Sequence, residues 1–220
     1  MTSVADAVRK PDRFFSRRLA YVDAIVPLAL AIGVGVALAY AYRPFFVQAV
    51  LGSLPANVAP GVADALAARA FRFSGIGAAI VPLVQIGAAA TLMFMILAVL
   101  SDTPPRFESL FVCVAWAALL LVGKDLARYG MLLAGGLESV RQITDLQPGV
   151  GLGFLVAEPR SLAHDTLEVI NGFDLSYLVV LAGAASRSEG VRFRRALTAA
   201  ALSWLLLHAV RIGFGALFYP

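Results

Sequence analysis

The chain has 220 residues, of which 60% are hydrophobic and only 15% are charged, with a formal net charge of +4. A water-soluble domain normally has about a quarter of its residues charged, so a soluble fold of this length could not cover its surface. The composition therefore excludes an ordinary soluble protein. The basic pI of 9.6 is explained by cationic residues that flank membrane spans, and we expect no nucleic-acid partner.

Long apolar runs predict the fold class, which is all-α: an integral membrane protein with five transmembrane helices. A membrane-spanning helix needs about 20 apolar residues, whereas the strands of a membrane barrel alternate in polarity over about ten. Residues 1–19 are predicted to form a short basic cytoplasmic tail, and residues 20–220 the membrane domain. The predicted spans cover approximately residues 21–42, 73–100, 107–123, 167–185 and 196–218.

The first predicted span contains two pairs of small residues. Gly33 with Ala37, and Gly35 with Ala39, are each four positions apart, a spacing that lets a second helix approach closely. We interpret both pairs as packing contacts between spans of one chain. The alternative is a seam between two copies, so a homo-oligomer is possible.

Two long connections separate the spans on one side of the membrane. Residues 43–72 end in an Ala-rich stretch, Val62 to Phe71, which predicts a short helix at the interface. The second connection, residues 126–163, is too long for a simple turn and is predicted to lie on the membrane surface. It contains an amphipathic piece, Met131 to Ile143, and a glycine at every second position of 149–153, which we interpret as a flexible turn.

The distribution of lysine and arginine predicts the orientation. The tail and the loops 101–106 and 186–195 hold ten basic residues in about 35 positions, and the two opposite segments between spans, 43–72 and 124–166, hold seven in about 70. Basic residues in short loops mark the cytoplasmic side. The N-terminus is therefore predicted to be cytoplasmic, and the C-terminus to lie outside, in the periplasm.

The last third of the chain carries a pattern of residue types. It reads Leu167-Glu-Val-Ile-Asn-Gly-Phe-Asp-Leu-Ser-Tyr-Leu-Val-Val-Leu-Ala-Gly, followed by an Arg-rich turn and by Arg195-Ala-Leu, Ser203-Trp-Leu-Leu-Leu and Arg211-Ile-Gly. With Phe107-Glu-Ser-Leu-Phe-Val-Cys-Val-Ala, this order resembles the Yip family, multi-span proteins named for interacting with Ypt/Rab GTPases. The resemblance covers about residues 75–218, and bacterial relatives share the family's membrane domain.

The resemblance implies five spans, a cytoplasmic N-terminus, an outer C-terminus and no established catalysis. The charge count predicts the same topology. Two features depart from the family pattern: Trp116 and Ala117 stand where the third span often has a proline, and residues 1–19 are shorter than the N-terminal region of eukaryotic members. GTPase binding is therefore not expected here.

Polar residues near the ends of spans are candidates for function because charges are costly in lipid. His208 and Arg211 share one helix face. We expect Arg211 to pair with Glu168 or Asp174, either as a structural ion pair between spans four and five or in a pocket that opens outward and binds a lipid headgroup or relays protons. The complete predicted cluster is Lys124, Asp125, Glu168, Asn171, Asp174, His208 and Arg211.

No catalytic, metal or cofactor site is predicted. His164 and Glu168 have the spacing of metal ligands on a helix, but two ligands do not make a site. The sequence instead predicts a Yip-like scaffold or adaptor without catalytic activity in the bacterial inner membrane, acting through membrane lipids or other membrane proteins. The alternatives are a transporter or channel-like component that uses the outward-facing cluster, and an intramembrane enzyme that modifies a lipid.

Overall fold

The computed structural model describes residues 9–55, 58, 60–156 and 162–218, with the backbone alone at 60, 74, 143, 144, 154, 162, 165, 211 and 214–218. Every regular element in these residues is helical, which confirms the predicted all-α class. Short 3₁₀ turns lie at Tyr21–Ala24, Leu137–Ser139, Ile143–Leu146 and Leu152–Leu155. The helices are α1 Pro11–Phe15, α2 Ile25–Ala41, α3 Arg43–Ser53, α4 Pro60–Leu100, α5 Phe107–Gly135, α6 Leu162–Glu168, α7 Gly172–Glu189 and α8 Phe193–Phe218.

Three of the five predicted spans are helices long and apolar enough to cross a membrane: Tyr21–Ala41, Gly61–Leu100 and Phe107–Gly135. The helix of the predicted fourth span, α7, has 18 residues. It contains Asp174, Arg187 and Glu189, so its length and composition alone do not define a span. The first three long helices are sufficient to assign the chain to the helical membrane proteins.

Helix α5 lies at the centre of the bundle. In the 18-residue apolar stretch of α5, 44% of the residues are buried, compared with 22% in that of the first span and 28% in that of the second. It packs against α2, α4 and α7, and α8 packs against α4 and α7. Alanines with no exposed surface, which let the helix backbones approach closely, lie at these contacts: Ala115 and Ala117 of α5, Ala182 and Ala185 of α7, and Ala196, Ala199 and Ala200 of α8.

The described end of the predicted tail, residues 11–19, packs into the core of the bundle. Phe14, Phe15 and Leu19 are buried in the main hydrophobic cluster, and α1 contacts α7. The Phe14 ring meets the Trp116 ring edge to face, with centroids 5.5 Å apart. The basic residues of this segment predicted a tail. The contacts are made instead by the apolar side chains between them, which pack between helices and leave no signal in the charge pattern.

The predicted interfacial helix at Val62 to Phe71 is not a separate element. It is the first part of α4, which is continuous over 41 residues and about 62 Å long, roughly twice the thickness of a hydrocarbon core. Arg69 and Arg72 lower the hydropathy here and suggested a boundary. Arginine is nevertheless a good helix former, so the charge does not interrupt the helix.

The ends of the third and fourth predicted spans also differ from the structure. Helix α5 continues for twelve residues beyond the predicted end at Gly123. Helix α7 begins at Gly172, five residues after the predicted start at Leu167, because the Asn171 side chain caps it by accepting a hydrogen bond from the backbone N–H of Asp174 at 2.9 Å.

A second, smaller hydrophobic cluster lies where α3 meets the end of α5. Phe45 and Ala49 of α3 are buried with Leu132 and Val140. The predicted amphipathic piece Met131 to Ile143 is interrupted within this cluster, because Gly136 ends α5 with a positive φ of 71°. The start of the second connection is therefore packed against the first rather than only against a membrane surface.

Replacement of Gly52 by alanine tests this second cluster. A Cβ at Gly52 would overlap the carbonyl group of Arg141, so we expect Gly52→Ala to lower the free energy of unfolding by about 1–3 kcal/mol. The control is Gly130→Ala in α5, where a Cβ meets no atom within 4 Å and the helix gains up to about 1 kcal/mol. Thermal unfolding in detergent measures both, and equal melting temperatures would contradict the packing described.

Candidate functional site

The central feature of the predicted polar cluster is a buried ion pair between α5 and α7. The Lys124 ammonium donates to the Asp174 carboxylate at 2.8 Å, and the two side chains are only 11% and 2% exposed. Two opposite charges at this distance and burial attract strongly, but each has also lost its hydration. The pair therefore persists only with further hydrogen bonds to the carboxylate.

Two other side chains supply these hydrogen bonds. The Asn171 amide donates to the same carboxylate oxygen that Lys124 contacts. The Trp204 indole of α8 approaches the other oxygen at 3.4 Å. Asp174 thus joins α5 and α8 to the start of α7. The His208 ring lies 4.5 Å from the Trp204 ring and hydrogen bonds the Trp204 carbonyl oxygen through Nδ1 at 2.9 Å.

A cavity of about 340 Å³ lies beside the ion pair, between α2, α4, α5, α7 and α8. Its polar wall contains Gln85, Asp125 and Ser203 in addition to Lys124 and Asp174. Its size falls at the lower end of the roughly 300–1,000 Å³ typical of small-molecule sites. The remaining wall is mostly apolar and includes Ala31, Gly35, Leu38, Pro82, Ile86, Ala89, Val114, Ala118, Leu121, Val122, Tyr177 and Leu207.

Asp125 and Arg128 lie on the same wall, one turn apart on α5. Arg128 is 3.7 Å from the Glu168 carboxylate, and both side chains are less than one-fifth exposed. Asp125 lies close to Tyr42, the residue that follows α2.

Glu168 is not in the cavity but at the centre of the glycine-rich turn. Its carboxylate accepts hydrogen bonds from the backbone N–H groups of Val150 at 2.6 Å and Gly151 at 3.0 Å. A Cβ at Gly151 would overlap the Glu168 backbone, and Cβ atoms at Gly149 and Gly153 would lie 3.0 Å from its carboxylate. The alternating glycines are therefore a close-packed cradle for one acidic residue, not the flexible turn that the sequence predicted.

The predicted cluster is thus divided between two places. Lys124, Asp174 and Asn171 form one bonded group, and His208 joins it through Trp204. Glu168 belongs to the glycine turn. The partners that the structure gives to Asp174 and Glu168 are Lys124 and Arg128, and the Arg211 side chain lies outside the described residues, so its expected ion pair stays a prediction.

Sequence reasoning missed two important residues of this region, Arg128 and Trp204. Arg128 stands in what was predicted to be a surface connection, since the helix was expected to end at Gly123. Trp204 lies within the fifth predicted span and carries no charge, so the predicted polar cluster does not include it. A register count could have found both: Arg128 is four positions after Lys124, and Trp204 is four positions before His208, which places each pair on one helix face.

The two small-residue pairs of α2 have different surroundings. A Cβ at Gly35 would lie 3.2 Å from the Ala78 carbonyl oxygen, so Gly35 faces α4 at a close helix crossing. Gly33 and Ala37 are exposed, and a Cβ at Gly33 meets no atom within 4 Å. Gly35, of the second pair, therefore makes the close contact that was predicted between spans of one chain.

In the part of the chain that the structure describes, no group of three or more His, Cys, Asp or Glu side chains is arranged to bind a metal ion. Cys113 is buried within α5, where its Sγ lies 3.4 Å from the Ser188 hydroxyl. This environment protects the thiol from reagents.

Comparison with known proteins yields no match: no family model, no curated protein and no solved structure matches the chain. The class of protein is therefore defined by its own features, namely an all-helical fold with three helices long and apolar enough to span a membrane.

Single and double substitution of the ion pair tests its structural role. Lys124→Met leaves a buried carboxylate unpaired, and Asp174→Asn leaves a buried ammonium unpaired, so each should lower the free energy of unfolding by about 3–5 kcal/mol. The double variant removes both charges. It should be more stable than the sum of the two single losses predicts, by about 0.5–3 kcal/mol.

Chemical or thermal unfolding in detergent gives the three values. The matched control is Asp102→Asn, which breaks the pair with Arg195 at 3.0 Å, where the aspartate is 92% exposed, and should change stability by less than about 1 kcal/mol. Strictly additive losses at positions 124 and 174 would show that the two charges do not stabilise each other.

Proposed function

We propose that the chain is a five-span protein of the bacterial inner membrane, Yip-like in organisation, that works as a scaffold or adaptor rather than as an enzyme. The three long apolar helices support the membrane location. The spans proposed at α7 and α8, the cytoplasmic N-terminus and the outer C-terminus are supported by the distribution of basic residues in the sequence.

One observation carries this proposal: the charged and imidazole side chains on the cavity wall all interact within the chain. Lys124 pairs with Asp174, Arg128 with Glu168, and His208 with the Trp204 carbonyl group. Asp125 also has an interaction within the chain. Groups that satisfy one another hold helices together, whereas a hydrolytic site needs a nucleophile within reach of a base.

The outer surfaces of the bundle support a role in lateral contacts. Helices α2 and α4 expose large apolar side chains, among them Leu30, Ile76, Ile80 and Val84. The exposed pair of Gly33 and Ala37 leaves a shallow surface on which another helix could pack closely. The proposed partners are membrane lipids and other membrane proteins, including a second copy of the chain.

Reporter fusions test the proposed topology. Alkaline phosphatase fused after Pro220 should be active because the C-terminus is outside, and green fluorescent protein inserted at Gly190 should fluoresce because this Arg-rich loop is cytoplasmic. Expression in a bacterial host, with immunoblots as the control for protein level, gives both signals. Fluorescence of a fusion after Pro220 would contradict an odd number of spans.

Cross-linking in native membranes, followed by purification and mass spectrometry, tests the scaffold role. A defined protein partner, or a second copy, should be recovered with the wild-type chain and lost severalfold when Gly33→Leu and Ala37→Leu are combined. The control is Ala98→Leu, which adds a leucine at an exposed position of α4 away from this pair. If the chain is recovered with no reproducible partner, the scaffold proposal fails.

A second function, the binding of a small polar ligand, is favoured by the cavity of about 340 Å³ and its polar wall. Binding of such a ligand corresponds to the alternative in which the chain is a transporter or channel-like component. A bound mass of a few hundred daltons in native mass spectra, lost in an Ala118→Leu variant that narrows the cavity, would favour this function over the scaffold.

A further inference from the structure

A groove runs between α2 and α4 on the outside of the bundle, separate from the polar cavity. It encloses about 530 Å³ and is predominantly apolar. Six lining residues follow one face of α4 at helical spacing: Phe71, Arg72, Gly75, Ile76, Ala79 and Ile80. The other two, Val36 and Tyr40, come from the end of α2.

The length of α4 after Arg72 fits one bilayer. From Arg72 to Leu100 the helix is about 42 Å long, which matches the roughly 40–45 Å of a bilayer with its headgroups, so in a membrane crossed by this part of α4 the mouth of the groove at Arg72 lies at the level of the headgroups. Helix α2 ends at Ala41, and the Tyr40 and Phe71 rings meet edge to face with centroids 5.8 Å apart. Aromatic side chains of this kind are typical of the membrane interface.

The groove extends from this mouth into the apolar layer. Between Arg72 and Ile80 the helix rises about 12 Å, close to the depth of one hydrocarbon leaflet. Its floor is low because Gly75 has no side chain and a Cβ there meets no atom within 4 Å. The walls are made by Val36 and by Ile76 and Ile80, which are 58% and 52% exposed. This shape suits an extended hydrocarbon chain.

Two cations stand at the mouth. Arg72 is part of the lining, and the Arg43 guanidinium lies over the Phe71 ring, 5.6 Å from its centroid. Both arginines are exposed, and within the described residues neither forms an ion pair with a carboxylate. Guanidinium groups bind phosphate oxygens well, because their N–H donors match the geometry of the anion.

We propose that this groove binds one anionic phospholipid, with its phosphate on Arg72 and Arg43 and one acyl chain along Gly75 and Ala79. Charge complementarity identifies the occupant. An apolar groove that opens to the bilayer and ends in two arginines, neither paired with a carboxylate of the described residues, fits a lipid that joins an acyl chain to a negative headgroup. The proposal rests on the membrane location of α2 and α4. It specifies which class of lipid the proposed scaffold binds.

Native mass spectrometry of the protein, released from nanodiscs that contain equal amounts of phosphatidylglycerol and phosphatidylcholine, tests the headgroup contact. We expect the wild-type chain to retain phosphatidylglycerol preferentially. Combined Arg43→Ala and Arg72→Ala substitution should reduce that preference by about fivefold for each arginine. The matched control, Arg69→Ala with Arg192→Ala, removes the same charge from exposed positions outside the groove and should keep the preference.

Two glycine variants test the acyl-chain contact. Gly75→Leu fills the floor of the groove and should lower the retention of both lipids. Gly77→Leu adds the same side chain two positions along α4, at a residue that does not line the groove and where a Cβ likewise meets no atom within 4 Å, and it should retain lipid as the wild type does. Thermal unfolding in detergent establishes that each variant is folded.

The proposal is overturned if the wild-type chain retains the two lipids equally, if the two arginine variants behave alike, or if Gly75→Leu and Gly77→Leu behave alike. A wild-type chain that shows no lipid preference but still recovers its cross-linked partner would overturn the lipid site alone. A wild-type chain that keeps the lipid preference but recovers no partner would instead overturn only the scaffold function.

Discussion

The buried ion pair between Lys124 and Asp174 is the contact on which the arrangement of helices depends. It lies at one end of the antiparallel contact between α5 and α7, and the other end is closed by the Glu189 carboxylate, which accepts a hydrogen bond from the Arg106 N–H at 2.7 Å. Because Asp174 also contacts Trp204, the same carboxylate orients α8. Removing one charge leaves the other buried without a partner, which is far more costly than removing both.

A second acidic residue organises the part of the chain beyond these helices. Glu168 is held by the N–H groups of Val150 and Gly151 and by Arg128, so the long connection is attached to α5 through one carboxylate. The glycines on either side allow the backbone to approach closely enough for these bonds. The two carboxylates therefore have related roles: each satisfies backbone or cationic donors that would otherwise be unpaired in a poorly hydrated region.

Much of the fold could be predicted from the sequence, but the site could be predicted only in part. The apolar runs identify the long helices because hydropathy and helix length are local properties. Helix ends were less predictable. Lys124 suggested an end because a charge is costly in lipid, but lysine is a good helix former and α5 continues through it to Gly135. The structure brings together Lys124, Asn171 and Asp174 of the predicted cluster. Arg128 is absent from that cluster because α5 is predicted to end before it.

The sequence by itself determined the class of protein, an all-helical membrane protein, since composition and run length decide what can be dissolved in lipid. Only the tertiary structure decided which charges meet. Asp174 and Glu168 are six positions apart, yet one bonds Lys124 at the bundle core and the other bonds a glycine turn and Arg128. Pairing depends on which helix faces another and at what height, and these relations between distant segments are set by the packing of small residues across the whole bundle.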